Sequence, residues 1–328
     1  MAAAGAIRPV LKRAVLLTLL LGVLAFPAVF TLPFPRHVMI MIFLYGALGT
    51  AWNIIAGYCG QISLGQAVFF GIGAYTSTLL FKETGLTPWA GMAAGVLLAV
   101  IVSRLVGYPV FRLRGHYFAI ATIAVGEIVQ ALVVNWDAIG GARGLFVPIR
   151  RPDSFVNFQF HQSKASYYYV ALGLLLLALA VTRWIELARR GYYFRAIRED
   201  QDAAASLGVD VAREKLHALG ISAGLTAMGG TFWAQYLLYI DPESVFPLSL
   251  SILICLVAVL GGVGTLWGPV LGAAVLVPLQ EGTRVLLGGT GKALDLLIYG
   301  ALIILISVFQ PSGLMGLLTR ARQAGSMR

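Results

Sequence analysis

Polar side chains stand inside two long apolar stretches of the sequence. Glu127 lies about eleven residues into the second stretch, with Thr122 and Gln130 near it. A carboxylate in hydrocarbon is costly, so it is expected to face a helix-bundle interior, either as a functional group or in a structural hydrogen bond. The residues that could line a polar path across a membrane are Gln61, Ser63, Gln66, Thr122, Glu127 and Gln130.

The first of these stretches, residues 57–75, alternates polar side chains with glycines. Uncharged hydrogen-bonding groups beside flexible backbone are how transporters hold a polar solute at mid-membrane depth. Small residues in membrane helices also serve close helix packing, so packing alone and path lining both remain open for this stretch. In a path, Glu127 would suit the ammonium group of a zwitterionic amino acid, and the amides and hydroxyls would suit its carboxylate.

Charge is concentrated in residues 195–208, which read RAIREDQDAAASLG between apolar stretches. Ile197, Ala204 and Leu207 fall near one helical face, and the charged residues can point to water. The pattern predicts a single short surface helix that ends at Gly208 in a left-handed cap. Asp210 and Glu214 then begin the next helix, because acidic residues favour its positive end. From local features alone, this segment is either a solvated loop or a docking surface.

The residues give no indication of an enzyme. The stretch 288–293, GGTGKA, superficially resembles a phosphate loop, but Leu286 and Ala293 stand where that motif requires Gly and Ser or Thr. The four histidines are isolated, and Cys59 and Cys255 lie far apart in apolar surroundings, without metal or redox spacing. We therefore expect no metal site and no cofactor bound by this chain.

The composition predicts a polytopic membrane protein. Of its 328 residues, 59% are hydrophobic and only 12% are charged. At roughly 20 residues per crossing, the chain has room for about ten helices in one all-α domain, residues 1–328. The predicted spans are 14–32, 38–57, 62–81, 88–107, 116–136, 167–185, 216–238, two between 250 and 280, and 293–309.

The first span is interpreted as an anchor, although a cleavable signal peptide is an alternative. Most of the 24 Lys and Arg residues lie in the tails and connections on one side of the predicted membrane. This bias favours both termini in the cytoplasm. The segment 190–213 is then cytoplasmic and the connection 137–166 faces outward. The net charge of +10 reads as a topology signal rather than as nucleic-acid binding, because the basic residues form short clusters. The glycine-rich joins 57–66 and 261–269 are either turns or breaks within the membrane.

Four segments carry a family resemblance. Residues 57–75 (GYCGQISLGQAVFFGIGAY), 114–128 (RGHYFAIATIAVGEI), 195–208 and 261–273 (GGVGTLWGPVLGA) are similar to signature segments of LivM-type permeases. These permeases are membrane subunits of branched-chain amino acid ABC importers. The four segments are spread from the second span to the ninth, so the resemblance covers most of the chain.

The resemblance implies a permease in the bacterial inner membrane. Its expected partners are a second, LivH-like permease subunit, two ATPase subunits that bind ATP and Mg, an extracytoplasmic solute-binding protein and membrane lipid. Solute would pass between the two permease subunits. The resemblance also implies that the segment 195–208 enters a groove on the ATPase, with its Ala and Ile face buried there. The docking residues would be Arg195, Ile197, Arg198, Glu199, Asp200, Ala203, Ala204, Leu207 and Gly208.

Two alternatives remain at this stage. A permease for urea, short amides or aromatic acids would share the same motifs, because they report architecture more than substrate. An ion-coupled carrier or a channel would need no coupling segment, and it would place several titratable groups inside the spans. Only Glu127 lies deep in a span, which favours the importer.

Overall fold

A computed structural model describes residues 22–30, 32–150, 153–160, 163–286, 300 and 313–316. The described chain is almost entirely helical. Its named helices are α1 (Pro33–Asn53), α2 (Gln66–Glu83), α3 (Pro88–Val110), α4 (His116–Val134), α5 (Ala165–Leu187), α6 (Arg189–Glu199), α7 (Gln201–Ser206), α8 (Val211–Leu237), α9 (Pro242–Val245), α10 (Leu248–Gly261) and α11 (Gly268–Leu286). One π-helical turn, Ile54–Tyr58, continues α1.

The bundle is built around α1 and α8. Every residue of α1 from Ile40 to Asn53 is buried, because α5, α8, α10 and α11 all pack against this helix. On the other side, α8 packs against α2 and α3. A helix that is apolar on all sides and surrounded by others is typical of the centre of a bundle.

Backbone contact between α2 and α8 requires glycine. A Cβ atom at Gly73 would overlap the backbone of Ala227, and one at Gly230 would overlap the backbone of Phe70. Thr231 donates its hydroxyl hydrogen bond across the same crossing to the Gly73 carbonyl, at 3.0 Å. Small residues therefore serve close helix packing here, as they commonly do in membranes.

The predicted all-α membrane bundle is confirmed. Five described helical segments are long and apolar enough to cross a membrane: Pro33–Tyr58, Pro88–Val110, His116–Val134, Ala165–Leu187 and Pro242–Gly261. The number of about ten spans and the orientation stay predictions. The predicted span 293–309, apart from residue 300, and residues 14–21 and 31 of the predicted span 14–32 lie outside the described residues.

The predicted start of the third span at residue 62 is wrong. Residues 60–65 are not helical, and α2 begins only at Gln66. The reason is a sharp redirection of the chain. Gly60 has a φ of +72°, and Trp52 donates an indole hydrogen bond to the Ser63 carbonyl, at 2.6 Å. This hydrogen bond fixes the non-helical residues 60–65 to α1.

The long connection after α4 is a folded cap. Its strand β1 (Leu145–Phe146) pairs antiparallel with β2 (Tyr239–Ile240), which follows α8. Trp89 stacks on Phe158 with ring centroids 4.4 Å apart, and donates its indole hydrogen bond to the Phe155 carbonyl, at 2.7 Å. The connection is thereby fixed to the start of α3 and the end of α8.

Candidate coupling segment and translocation face

The charged segment forms two helices, so the prediction of a single helix over 195–208 is wrong. The break is Asp200, whose backbone is extended at φ −156° and ψ 119°. Its carboxylate accepts hydrogen bonds from the backbone N–H groups of Asp202 and Ala203, at 2.8 and 3.0 Å, and so caps α7. The hydrogen bond from the Ala203 amide, followed by that from Asp202, lowers the pKa of the Asp200 carboxyl group.

The predicted end of this segment is confirmed. Gly208 has a φ of +86°, the left-handed conformation expected of a helix cap. Asp210 then accepts a hydrogen bond from the Arg213 backbone N–H at 3.0 Å, and Glu214 lies in the first turn of α8. The turn between α7 and α8 is therefore encoded locally.

The apolar face of the segment is covered by the chain itself. Phe194, Ile197 and Ala204 are at most 2% exposed, and they belong to one cluster with Ile54 and Tyr58 at the end of α1. Ile197 and Ala204 were expected to enter a groove on another protein. The structure assigns them instead to the contact between the segment and its own membrane helices.

A different set of side chains faces outward. Leu207 is 85% exposed and Tyr192 is 65% exposed, although both are large apolar or aromatic residues. Among the predicted docking residues, those on the exposed surface are Arg195, Arg198, Glu199, Asp200, Ala203, Leu207 and Gly208. The outward surface thus carries charge, a small alanine and one protruding leucine.

Arg198 is engaged within the chain, although it was predicted to meet polar groups on a partner. It donates a hydrogen bond from Nη1 to the Gly57 carbonyl in the π-helical turn, at 2.8 Å. Close by, Asn53 Oδ1 accepts from the Gly264 backbone N–H at 2.8 Å, and its Nδ2 donates to the Thr265 carbonyl at 2.9 Å. The coupling segment, the end of α1 and the loop between α10 and α11 therefore meet at one junction.

This junction has no room for additional atoms. A Cβ atom at Gly57 would overlap the Asn53 side chain, and one at Gly60 would lie 3.0 Å from the Arg198 Cα. Tyr58 adds a second tie by donating a hydrogen bond to Glu186 Oε1 at the end of α5, at 2.7 Å. Sequence reasoning missed Asn53 and Tyr58. Asn53 was the available signal, since it is an amide at the end of an otherwise apolar run.

Three of the predicted path residues make hydrogen bonds inside the chain: Gln66 joins two helices, Thr122 binds the segment before α2, and Gln61 bonds locally. Gln66 donates to Ser222 Oγ at 3.0 Å and accepts from Thr226 Oγ1 at 3.2 Å, which joins α2 to α8. Thr122 accepts from the Leu64 backbone N–H at 3.0 Å. Gln61 is 4% exposed and donates to the nearby Cys59 carbonyl at 3.3 Å.

Ser63 and Thr122 line one small cavity between α2, α3, α4 and α8, with a volume of about 20 Å³. This is room for about one water molecule. Apart from these two hydroxyls its walls are mainly apolar, with Phe69, Phe118 and Leu219 among them. In this conformation the cavity is too small for an amino acid.

Glu127 and Gln130 lie on α4, which is the least covered of the five long apolar segments. Only 17% of an 18-residue stretch of this helix is buried inside the chain. Glu127 is exposed, whereas Thr122 on the same helix is 7% exposed. The predicted set is thus divided: Gln61, Ser63, Gln66 and Thr122 are inside the chain, Gln130 is half-buried, and Glu127 is on the surface.

The exposed surface of α4 follows a helical period. Its members recur at intervals of three and four residues and include both large and small side chains. After the exposed His116 at the first position, they are Tyr117, Ile120, Ala124, Glu127, Ile128, Ala131 and Leu132. We call this set the α4 face.

Comparison with known proteins places these features in a family. A family profile described as "Branched-chain amino acid transport system / permease component" matches residues 35–307, which includes the coupling segment and α4. The chain belongs to this family. No solved structure matches the chain significantly.

Two relatives from Escherichia coli K12 show which branch of the family is nearer. The chain is 33% identical over 293 residues to the high-affinity branched-chain amino acid transport system permease protein LivM, covering 83% of this chain and 68% of LivM. It is 25% identical over 287 residues to the permease protein LivH, covering 83% of this chain and 91% of LivH. The chain is therefore of the LivM type, as its motifs predicted.

Proposed function

We propose that this chain is the membrane permease subunit of an ATP-driven importer that carries branched-chain amino acids or related solutes across the bacterial inner membrane. The chain hydrolyses no ATP itself, and ATP and Mg bind to two separate ATPase subunits. The observation that carries the proposal is the Arg198 junction. It links a charged surface segment to the end of the central helix, as a subunit driven from outside the membrane requires.

The ATPase docks on the outward surface of α6 and α7. Leu207 is the anchor of this contact, because it is 85% exposed and burial of its apolar side chain in a partner's pocket is favourable. Ala203 lies on the same surface. Ala204 does not, since it is buried within the chain.

The second, LivH-like permease subunit packs on the α4 face. A span with one charged residue on a largely uncovered surface is costly in lipid, and a partner helix or a hydrated interface relieves that cost. Solute passes between the two subunits, so Glu127 faces the path while Thr122 supports it from inside.

An extracytoplasmic binding protein docks on the connection 137–166. This connection is folded against α3 and α8, which gives a partner a preformed surface. It lies on the opposite side of the membrane from α6 and α7, because α5 crosses the membrane between them.

The central test is to purify the chain from its native membrane and identify the proteins that accompany it. Two ATPases, a second permease subunit and a binding protein are expected. A homo-oligomer with none of these would overturn the proposal in favour of a carrier. Reconstituted vesicles should then take up leucine in preference to urea or benzoate, and a preference for urea or benzoate would reject the amino-acid assignment.

Docking is tested separately with Leu207→Asp. Because the substitution places a charge in a desolvated pocket, uptake and solute-stimulated ATP hydrolysis should fall about tenfold or more, while the protein still inserts. The matched control is Leu86→Asp, since Leu86 is 50% exposed in the connection between α2 and α3. Full activity of the Leu207 variant would reject the docking surface.

Orientation is tested by cysteine labelling at Ser154 and Ser206 with a reagent that does not cross the membrane. In intact cells only the cysteine at position 154 should react. The reverse pattern would invert the topology and exchange the two proposed docking sides.

A further inference from the structure

A groove on the side of the bundle is separate from the junction, the small cavity and the α4 face. It runs between α3, α5 and α8, and its volume is about 410 Å³. This is within the range of about 300–1,000 Å³ that holds small molecules.

The lining of the groove is divided by chemistry. Along most of its length it is apolar, with Val100 on α3, Val181 on α5 and Leu225 on α8. Near the end where α6 begins, Arg104 and Arg190 contribute positive charge. An apolar groove that ends at two positively charged side chains is complementary to a lipid with an acyl chain and an anionic headgroup.

The two arginines are available to a ligand. Within the described part of the chain, neither forms an ion pair, whereas Arg114, Arg183 and Arg198 each lie within 4.0 Å of a carboxylate. No acidic residue is among the described residues that line the groove.

Glycines form the floor of the groove on α8. A Cβ atom at Gly220 would lie in ordinary van der Waals contact with Ser103 and Val100 of α3, at 3.7 and 3.8 Å. At Gly224 the same atom would lie 3.3 Å from Val96. The two glycines therefore let α8 pack closely against α3, and they add no side chain to the groove that they line.

The N-terminal segment covers a different side of α5. Tyr168 and Tyr169 donate hydrogen bonds to the carbonyls of Val23 and Leu24, at 2.6 and 3.0 Å. At about 100° per residue, the face of Leu177 and Val181 is roughly 150° away from these tyrosines. The described residues 22–30 therefore do not occupy the groove.

We propose that an anionic phospholipid binds in this groove, with its phosphate between Arg104 and Arg190 and one acyl chain against α8. The site lies in the leaflet next to the coupling segment, and Arg190 belongs to α6 itself. The proposal requires only that the chain lies in a membrane, and it does not depend on which solute is carried.

The test measures lipid retained by the purified assembly. The importer is reconstituted in nanodiscs of phosphatidylcholine with a minor fraction of phosphatidylglycerol, re-extracted and washed in detergent, and its bound lipids are quantified by mass spectrometry. Phosphatidylglycerol should be strongly enriched over its share of the nanodisc. Each arginine near a membrane surface contributes a factor of about 5, so Arg104→Gln/Arg190→Gln should reduce the enrichment about 30-fold.

The control pair is Arg189→Gln/Arg213→Gln, two exposed arginines that do not line the groove. This pair should retain the enrichment. Equal retention in both pairs, or equal loss in both, would overturn the proposal, because binding would then not depend on the groove.

Occupancy of the apolar part is tested independently. Leu177→Trp enlarges a groove-lining side chain that is 41% exposed, and it should displace the lipid without altering Arg104 or Arg190. A photoreactive residue at position 181 should cross-link to phospholipid in the intact assembly. Cross-linking to another protein subunit, or to this chain's own N-terminal residues, would show a protein occupant and reject the lipid.

Discussion

The segments Pro33–Tyr58 and His116–Val134 are both apolar enough to span a membrane, yet the bundle treats them in opposite ways. Over an 18-residue stretch of each segment, 89% of the first is buried inside the chain and only 17% of the second is. The first segment contacts helices on all sides and ends in the Arg198 junction. The second, α4, presents Glu127 on an open face. Two segments of similar hydropathy thus have different roles: the first is the buried centre of the bundle, and the second offers a surface to a partner.

The largest expected effect is a difference in stability between two variants, each of which adds one methyl group to one of these segments. Gly57→Ala should destabilise the chain by about 1–3 kcal/mol, because a Cβ atom there overlaps Asn53. Gly126→Ala on α4 should be neutral or slightly stabilising, because a Cβ atom there meets nothing within 4 Å. Thermal unfolding of the two variants in detergent gives the comparison. Equal midpoints would remove the distinction between a packed axis and an open helix.

The second prediction tests whether the α4 face is covered by a subunit. Ala124→Phe should leave the isolated chain folded and lower its association with the second permease subunit by roughly 5- to 100-fold, through overpacking. Ala180→Phe, at an exposed position on α5, is the matched control and should assemble normally. Affinity capture from membranes measures both. Normal assembly of the Ala124 variant would leave the α4 face to lipid.

The third prediction concerns the tie between the coupling segment and the end of α1. Arg198→Gln removes the charged donor to the Gly57 carbonyl, and hydrogen bonds from charged groups contribute about 1.5–3 kcal/mol. Uptake should fall several-fold while basal ATP hydrolysis continues, so the two activities become uncoupled. Arg198→Lys should restore part of the loss, and Arg189→Gln should have no effect. Parallel loss of uptake and ATP hydrolysis would indicate a docking defect instead.

The smallest effect is expected at Glu127. Glu127→Gln keeps size and hydrogen bonding but removes the charge, so the KM for leucine should rise several-fold if the carboxylate meets the solute ammonium. Glu83→Gln, at the end of α2, is the control. Unchanged uptake kinetics with normal expression would remove Glu127 from the path and leave α4 as a packing surface only.

Much of the architecture was readable from the residues alone. Apolar runs of sufficient length predicted the membrane helices, because hydrocarbon accepts only backbone whose hydrogen bonds are satisfied internally. The cap at Gly208 and the start of α8 at Asp210 were also predicted, since each depends on conformations and hydrogen bonds within a few residues. The family was also predicted from local patterns, since each of its four signature segments is a short stretch of sequence.

The residues that face one another were decided by the tertiary structure. Ile197 and Ala204 share a helical face in the sequence, but only the folded chain shows that its own α1 covers this face. Gln66 and Glu127 look alike as polar residues in apolar runs, yet one joins α2 to α8 and the other is exposed. Hydropathy reports that a side chain avoids water, and it contains no information about which neighbour replaces the water. That choice depends on contacts between distant parts of the chain, which no local pattern specifies.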